Sequence, residues 1–104
     1  MVIMNIDIVA NEIDLTDPLR EYIKEKVGSL DKFLVRYGEV HAQVEVARAT
    51  KHHKHGDVYY AEVNLSFPGG NLRATDTSED IRASIDKVRD ILQREIGDRK
   101  DKHS

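Results

Sequence analysis

The sequence predicts an α+β domain in the order β-α-β-β-β-α, with a four-stranded sheet and two helices packed on one face of the sheet. Two observations support this prediction. Four segments alternate between apolar and polar residues, as strands with one buried face do. Two longer segments repeat apolar residues at helical spacing, so two amphipathic helices are available to cover the apolar face of the sheet.

The first two elements are a strand and a helix. In the segment MNIDIVA, every second residue from Met4 is apolar, which is typical of a strand with one solvated face. Asp17 followed by Pro18 marks the start of the helix, because proline fits the first helical turn. Apolar residues on one helical face recur as far as Leu34, so we expect the helix to continue past Gly28.

Three strands and the second helix follow. The segments VHAQVEVAR and VYYAEVNLSF alternate, PGG predicts a tight turn, and NLRAT returns as a short strand. The second helix lies in TSEDIRASIDKVRDILQREI, where Thr77 and Asp80 resemble a capping box. Its apolar stripe consists of Ile81, Ile85, Val88, Leu92 and Ile96.

The length predicts one domain. We expect it to cover residues 1–97 and to be followed by a basic, flexible tail over residues 98–104. A chain of 104 residues has the length of a single domain. Gly97 favours an early end of the helix, and the tail DRKDKHS places three bases around two aspartates.

Composition excludes several classes of protein. The chain has no cysteine, which excludes disulfides and thiolate zinc sites. No apolar run approaches the roughly 20 residues of a membrane helix, and the N-terminus lacks the basic region of a signal peptide. We therefore expect a cytoplasmic protein without membrane contacts. Because the net charge is -3, a site for a polyanion has to be a local patch.

No sequence motif indicates catalysis. The phosphate-binding, dinucleotide-binding and nucleophile-elbow motifs are all absent. We expect no enzymatic activity, no cofactor and no small-molecule substrate. The open sheet face is mixed and leans acidic, with Tyr60 among carboxylates, which argues against base stacking of the RRM type. The element order is closer to a double-stranded-RNA-binding domain, which contacts RNA through helix edges and loops.

The segment KHHKHG has several interpretations. Lys51, His52, His53 and Lys54 lie in a stretch without acids, so they suit contacts to phosphate. His52, His53 and His55 also suit a metal site, although a specific site needs three or four convergent ligands. A catalytic histidine pair would need a partner acid, which the local spacing does not supply. A solvated turn before a strand accounts for the segment equally well.

Basic residues also lie on the predicted helices. On a helical projection, Lys26 falls inside the apolar arc of the first helix, where a lysine either snorkels from the core rim or binds a ligand. On the second helix, Lys87 and Arg94 share one flank, and Arg82 and Arg89 share the other.

Two long segments carry a resemblance to a known family. These segments are IDLTDPLREYIKEKVGSLDKF and HHKHGDVYYAEVNLSFPGGNLRATDTSEDIRASIDKVRDILQREI. Their order and spacing resemble the ribosome hibernation-promoting factors, also called ribosome-associated inhibitor A or sigma-54 modulation proteins. The resemblance implies the same fold and a stationary-phase stress response. It implies translation silencing through small-subunit rRNA in the mRNA and tRNA channel, where a bound factor occludes the A and P sites.

The resemblance also implies the site residues and partners. The family carries bases at five positions of this chain: Arg20, Lys26, Arg94, Lys100 and Lys102. Together with the KHHKHG loop and the second helix, the expected rRNA contacts are Arg20, Lys26, Lys51, His52, His53, Lys54, Arg82, Lys87, Arg89, Arg94, Arg99, Lys100 and Lys102. Ser29, Ile91 and Asp98 depart from the pattern, because lysine is expected there.

Expected partners are the small ribosomal subunit and whole ribosomes. Long members of the family add a C-terminal domain that dimerises. Because the sequence ends at residue 104, the chain is expected to be of the short type and monomeric away from the ribosome. Two alternatives stay open: a regulatory module that binds protein, and a metal-binding protein that acts through the histidine loop.

Overall fold

The strands and helices follow the predicted order. The computed structural model describes residues 4–49, 56 and 58–102, with side chains described as far as Arg99. Its elements are β1 (Met4–Asn11), α1 (Asp17–Gly28), β2 (Val40–Ala49), β3 (Val58–Phe67), β4 (Gly70–Ser78) and α2 (Ile81–Lys102). Two 3-10 turns, Asp31–Phe33 and Val35–Tyr37, lie between α1 and β2. The order β-α-β-β-β-α is confirmed.

The four strands form one mixed sheet in the order β1-β2-β3-β4. β1 pairs in parallel with β2, so α1 is the crossover between them, and the other two pairs are antiparallel. Pro68 and Gly69 make the predicted tight turn between β3 and β4. Gly69 has a φ of +95°, a conformation that glycine adopts without the steric cost other residues incur.

Both helices cover the same face of the sheet. α1 packs on β1, and α2 packs across β3 and β4. The predicted apolar stripes meet in one core, whose largest fully buried side chains include Ile23, Leu30, Leu34, Leu65 and Leu92. The opposite face of the sheet has no helix on it among the described residues. No helix in the described ranges combines the length and the apolar character that a bilayer span requires.

The first helix is shorter than predicted. α1 ends at Gly28, a poor helix former, and Ser29 is its C-cap residue. Leu30 and Leu34 still reach the core, because the following 3-10 turn keeps them on the buried side. The Phe33 amide donates to the Leu30 carbonyl at 3.0 Å, which closes this turn. The prediction that Leu30 and Leu34 are buried is therefore confirmed, whereas the prediction of one continuous helix as far as Leu34 is wrong.

Both ends of the second helix differ from the prediction. The capping box is wrong, because Thr77 lies in β4 and pairs with Tyr60 across the sheet. Asp80 caps α2 instead, since its Oδ1 accepts the Arg82 amide at 3.0 Å. The expected early end at Gly97 is also wrong, because the helical backbone continues to Lys102. The division into residues 1–97 and 98–104 therefore does not coincide with the end of a helix.

Candidate nucleic-acid interface

Three basic side chains, the seam bases Lys26, Arg82 and Arg89, lie where α1 and α2 meet. The Cζ of Arg82 lies 5.2 Å from the centre of the Tyr22 ring, and the Nζ of Lys26 lies 5.6 Å from the same ring. The Cζ of Arg89 lies 5.8 Å from the centre of the Phe33 ring. These distances are typical of cation–π contacts. The two aromatic rings therefore position three cations along one seam.

A hydrogen bond between the helices anchors one end of this seam. The Tyr22 hydroxyl donates to Oδ1 of Asp86 at 2.6 Å, and the Nζ of Lys26 lies 3.7 Å from the same oxygen. The hydrogen bond to Asp86, reinforced by burial, raises the pKa of Tyr22 to about 12, so the phenol keeps its proton at neutral pH. Asp86 thus joins the helices and also offsets part of the positive charge of Lys26.

Arg89 is the most firmly held of the seam bases, with only 17% of its side chain exposed. Its Nε donates to the Ser29 hydroxyl at 3.0 Å, and that hydroxyl donates to the Lys26 carbonyl at 2.6 Å. Its Nη1 donates to Oε1 of Gln93 and lies 3.6 Å from Oδ1 of Asp90. The family resemblance led us to expect a lysine at position 29. Ser29 stands there instead, and its hydroxyl binds the guanidinium of Arg89 from α2.

The remaining helix bases do not join the seam. Lys87 and Arg94 are exposed on the far flank of α2, roughly 120–160° around the helix from Arg82 and Arg89. The predicted grouping of these four bases into two flanks is consistent with the contacts of Arg82 and Arg89 with aromatic rings on the α1 side. Arg20 is half-buried in the first turn of α1. Arg94 is therefore not placed beside Lys26.

Arg99 has a structural position that the sequence did not indicate. Its Nη2 donates to the Gly69 carbonyl at 2.7 Å, and its Cζ lies 5.2 Å from the Phe67 ring and 5.9 Å from the Tyr37 ring. A Cβ on Gly70 would lie 2.6 Å from Nη2, so a glycine there gives the guanidinium room. Arg99 joins α2 to the β3–β4 turn, and its role as an rRNA contact stays a prediction.

Several predicted site residues cannot be placed from the structure. The bases and histidines of residues 51–55 lie outside the described residues, so their phosphate-contact and metal interpretations both stay predictions. Lys100 and Lys102 lie on the helical backbone of α2, but their side chains are also outside the described part. Within the described part, no three His, Cys, Asp or Glu side chains are arranged to hold a metal ion.

The open face of the sheet is acidic at its centre. Glu45 and Glu62 lie directly opposite each other on β2 and β3. Hydrogen bonds from Arg73 first, and then from Tyr60 and Asn64, lower the pKa of Glu62 to about 2, so its charge persists at neutral pH. The Tyr60 hydroxyl is itself engaged by Glu62. This face disfavours a polyanion and does not offer a free aromatic platform, so the helical side is the better candidate.

Two further bases near the seam were not singled out from the sequence. Lys32 and Arg36 are exposed in the 3-10 turns after α1, and the Nζ of Lys32 lies 5.3 Å from the Phe33 ring. Phe33 therefore has cations from both α2 and its own turn. The available signal was the segment DKFLVRYG, where two bases flank a run of three apolar residues. Assigning part of this segment to a helix hid the fact that Lys32 and Arg36 lie beside an open groove between these turns and α2.

Comparison with known proteins identifies related sequences. The model of the family described as "Sigma 54 modulation protein / S30EA ribosomal protein" matches residues 6–104. The chain is 36% identical over 92 residues to a ribosome hibernation promotion factor of Lactococcus lactis, covering 86% of this chain and 46% of that protein. It is 32% identical over 84 residues to one from Deinococcus radiodurans, covering 81% of this chain and 42% of that protein. The chain thus spans less than half the length of these two relatives.

A third relative and two solved structures match more completely. The ribosome hibernation promoting factor of Escherichia coli K12 is 27% identical over 99 residues, covering 95% of this chain and 96% of that protein. The N-terminal domain of Thermus thermophilus Protein Y has a TM-score of 0.72 at 30% identity, covering 89% of this chain and 96% of that one. A Coxiella burnetii ribosomal subunit interface protein has a TM-score of 0.66 at 17% identity, covering 96% and 98%, and supports the fold alone. The likeness to a double-stranded-RNA-binding domain is not confirmed.

Proposed function

Because the chain belongs to the Sigma 54 modulation protein / S30EA ribosomal protein family, we propose that it silences translation during ribosome hibernation. In this proposal it binds the rRNA of the small subunit in the mRNA and tRNA channel and occludes the A and P sites. Relatives that match most of the chain are named ribosome hibernation factors, which supports a role in ribosome hibernation.

The seam bases are the observation that carries the rRNA proposal. Lys26 and Arg82 keep their cationic groups at the surface while their positions are restricted by the Tyr22 ring. Restricting a side chain before binding lowers the entropy that binding costs. Arg89 continues the line from α2 toward Phe33. Three positioned cations on one side of the domain suit a backbone of successive phosphates, whereas the acidic sheet face does not.

The proposed mechanism is steric and involves no chemical step. The apolar stripes of both helices are buried in the core, whereas the basic seam lies at the surface, where a ligand can reach it. A rigid α+β domain held by phosphate contacts excludes other ligands from the volume it occupies. Affinity from such contacts falls as salt rises, because each neutralised phosphate releases counterions.

Co-sedimentation with purified small ribosomal subunits tests the proposal. The wild-type protein is expected to sediment with the subunit at low salt and to dissociate steeply as salt rises. An Arg82→Gln variant is expected to lower the slope of log affinity against log salt by about 0.9, because it removes one phosphate contact. Lys24→Gln is the matched control, since Lys24 is exposed on α1 and has no cation–π contact with Tyr22.

Two outcomes would contradict the proposal. One is binding that does not change between low and moderate salt. The other is equal loss of binding in Arg82→Gln and Lys24→Gln, which would mean that only net charge matters. Inhibition in a purified translation system is expected to follow subunit binding across the same variants.

A further inference from the structure

An open groove lies beside the seam, between the 3-10 turns and the last turns of α2. Its volume is about 550 Å³, within the ~300–1,000 Å³ typical of small-molecule sites. Most of its lining residues are exposed, so the groove is accessible from solvent. The lining consists of Lys32, Phe33, Val35, Arg36, Gln93, Ile96 and Gly97.

The lining combines an apolar wall with positive charge. Phe33, Val35 and Ile96 form the apolar part, and Val35 is unusual in exposing 61% of its surface. Lys32 and Arg36 supply two cations, and no acidic residue lines the groove. An apolar ligand would leave both cations unused, whereas a bare phosphate would leave the apolar wall unused. A nucleotide uses both, because its base is a flat apolar ring system and its phosphate is an anion.

Gln93 adds a polar group at the edge of the groove. Its Oε1 accepts a hydrogen bond from Nη1 of Arg89. A guanidinium has only donors, so this contact fixes the orientation of the amide and directs Nε2 away from Arg89. Nε2 is then available to donate to an acceptor on a base. The same Arg89 lies 5.8 Å from the Phe33 ring, so the groove and the seam are continuous.

We propose that this groove binds one unpaired base of an RNA strand. The base lies against Phe33 and Val35, and the phosphates on either side of it lie near Lys32 and Arg36. This inference rests on the proposed function and makes it more specific. The seam side chains alone recognise phosphates in any RNA. A groove that accepts a nucleobase selects RNA with an unstacked nucleotide.

Gly97 allows the groove to be filled without changing any charge. A Cβ added at Gly97 would meet nothing within 4 Å, so the position has open space. Gly97→Leu places an apolar side chain in that space, and leucine is also a better helix former than glycine. Gly97→Ala is the matched control, because it removes the same glycine but adds only one methyl group.

The probe is an RNA hairpin with a single unpaired 2-aminopurine, compared with the same hairpin carrying an abasic site at that position. Fluorescence anisotropy measures both affinities for the full chain. Wild-type protein and Gly97→Ala are expected to prefer the 2-aminopurine hairpin by roughly 5- to 150-fold, the range that stacking of one base on an aromatic ring supplies. Gly97→Leu is expected to abolish this preference. It is expected to keep the salt slope of wild type, because the variant retains every lysine and arginine.

Each result bears on the proposal in a defined way. Equal affinity of wild type for the two hairpins, with salt-sensitive binding to both, would overturn the groove and leave the phosphate-binding seam intact. A base preference that survives in Gly97→Leu would place the base elsewhere and also overturn the groove. Failure to bind either hairpin, together with failure to sediment with small subunits, would overturn the proposed function as well.

Discussion

Removing the charge of Asp86 is expected to strengthen RNA binding. In Asp86→Asn the amide oxygen still accepts from the Tyr22 hydroxyl, so the link between the helices is kept in a neutral form. The carboxylate that lies 3.7 Å from the Nζ of Lys26 is removed, and Lys26 becomes free to meet a phosphate. Asp86 is therefore expected to restrain binding while it stabilises the helix pair.

The magnitude follows from the exposure of the pair. The side chains of Lys26 and Asp86 are 39% and 46% exposed, and exposed ion pairs contribute about 0–1 kcal/mol. Releasing Lys26 is therefore worth up to about fivefold in affinity at moderate salt. Because Asp86 offsets only part of the charge of Lys26 in wild type, the slope of log affinity against log salt is expected to steepen by no more than about 0.9, the value for one phosphate contact. Replacing the charge-assisted hydrogen bond of Tyr22 by a neutral one is expected to lower stability by about 1 kcal/mol.

Salt titrations of binding to purified small subunits measure both quantities, and urea denaturation measures the stability change. Asp14→Asn is the control, because it makes the same change of charge at an exposed position in the loop before α1. A salt slope equal to that of wild type in Asp86→Asn would refute the idea that Asp86 competes with phosphate for Lys26. An equal gain in Asp14→Asn would show that only net charge was being measured.

Three further predictions concern individual groups. Arg99→Ala is expected to lower the free energy of unfolding in urea by about 1–2 kcal/mol, through loss of its hydrogen bond to the Gly69 carbonyl and its ring contacts. Glu62, 18% exposed, has a pKa of about 2 against an ordinary 4.5. The ionised carboxylate of Glu62 therefore stabilises the folded state above pH 4.5, and this stabilisation is lost as pH falls toward 2. Wild type should lose more stability than Glu62→Gln over that interval in acid denaturation, by about 1–2 kcal/mol, because solvent screens the pair with Arg73, whose side chain is 61% exposed. In Asp86→Asn the pKa of Tyr22 is expected to fall from about 12 toward 10.0, measured by the ultraviolet absorbance of tyrosinate, and an unchanged value would contradict the assigned hydrogen bond.

Local patterns in the sequence determined the order and faces of the elements. Alternation in β2 and β3 predicted their buried valines and leucines, and helical spacing predicted the buried stripe of α2. The same spacing placed Arg82 and Arg89 on one flank of α2. These predictions succeeded because side-chain direction within one element follows directly from the repeat of its backbone, at about 2.0 or 3.6 residues.

Helix ends were predicted less well, because competing local signals have similar energies. Gly28 ended α1, whereas Gly97, an equally poor helix former, did not end α2. The difference lies in contacts made by residues beyond each glycine. After Gly97, the side chain of Arg99 is held by the β3–β4 turn. After Gly28, Leu30 reaches the core from a 3-10 turn.

The site itself was decided by tertiary structure. The hydrogen bond between Tyr22 and Asp86 joins residues 64 positions apart, and that between Arg89 and Ser29 joins residues 60 positions apart. The periodicity of one helix does not state which flank of another helix it will meet, because that depends on how both stripes pack over the sheet. The sequence by itself therefore determined which bases face away from the core. Only the packing of α1 against α2 decided which of them stand together, which are paired with acids, and where a groove opens beside them.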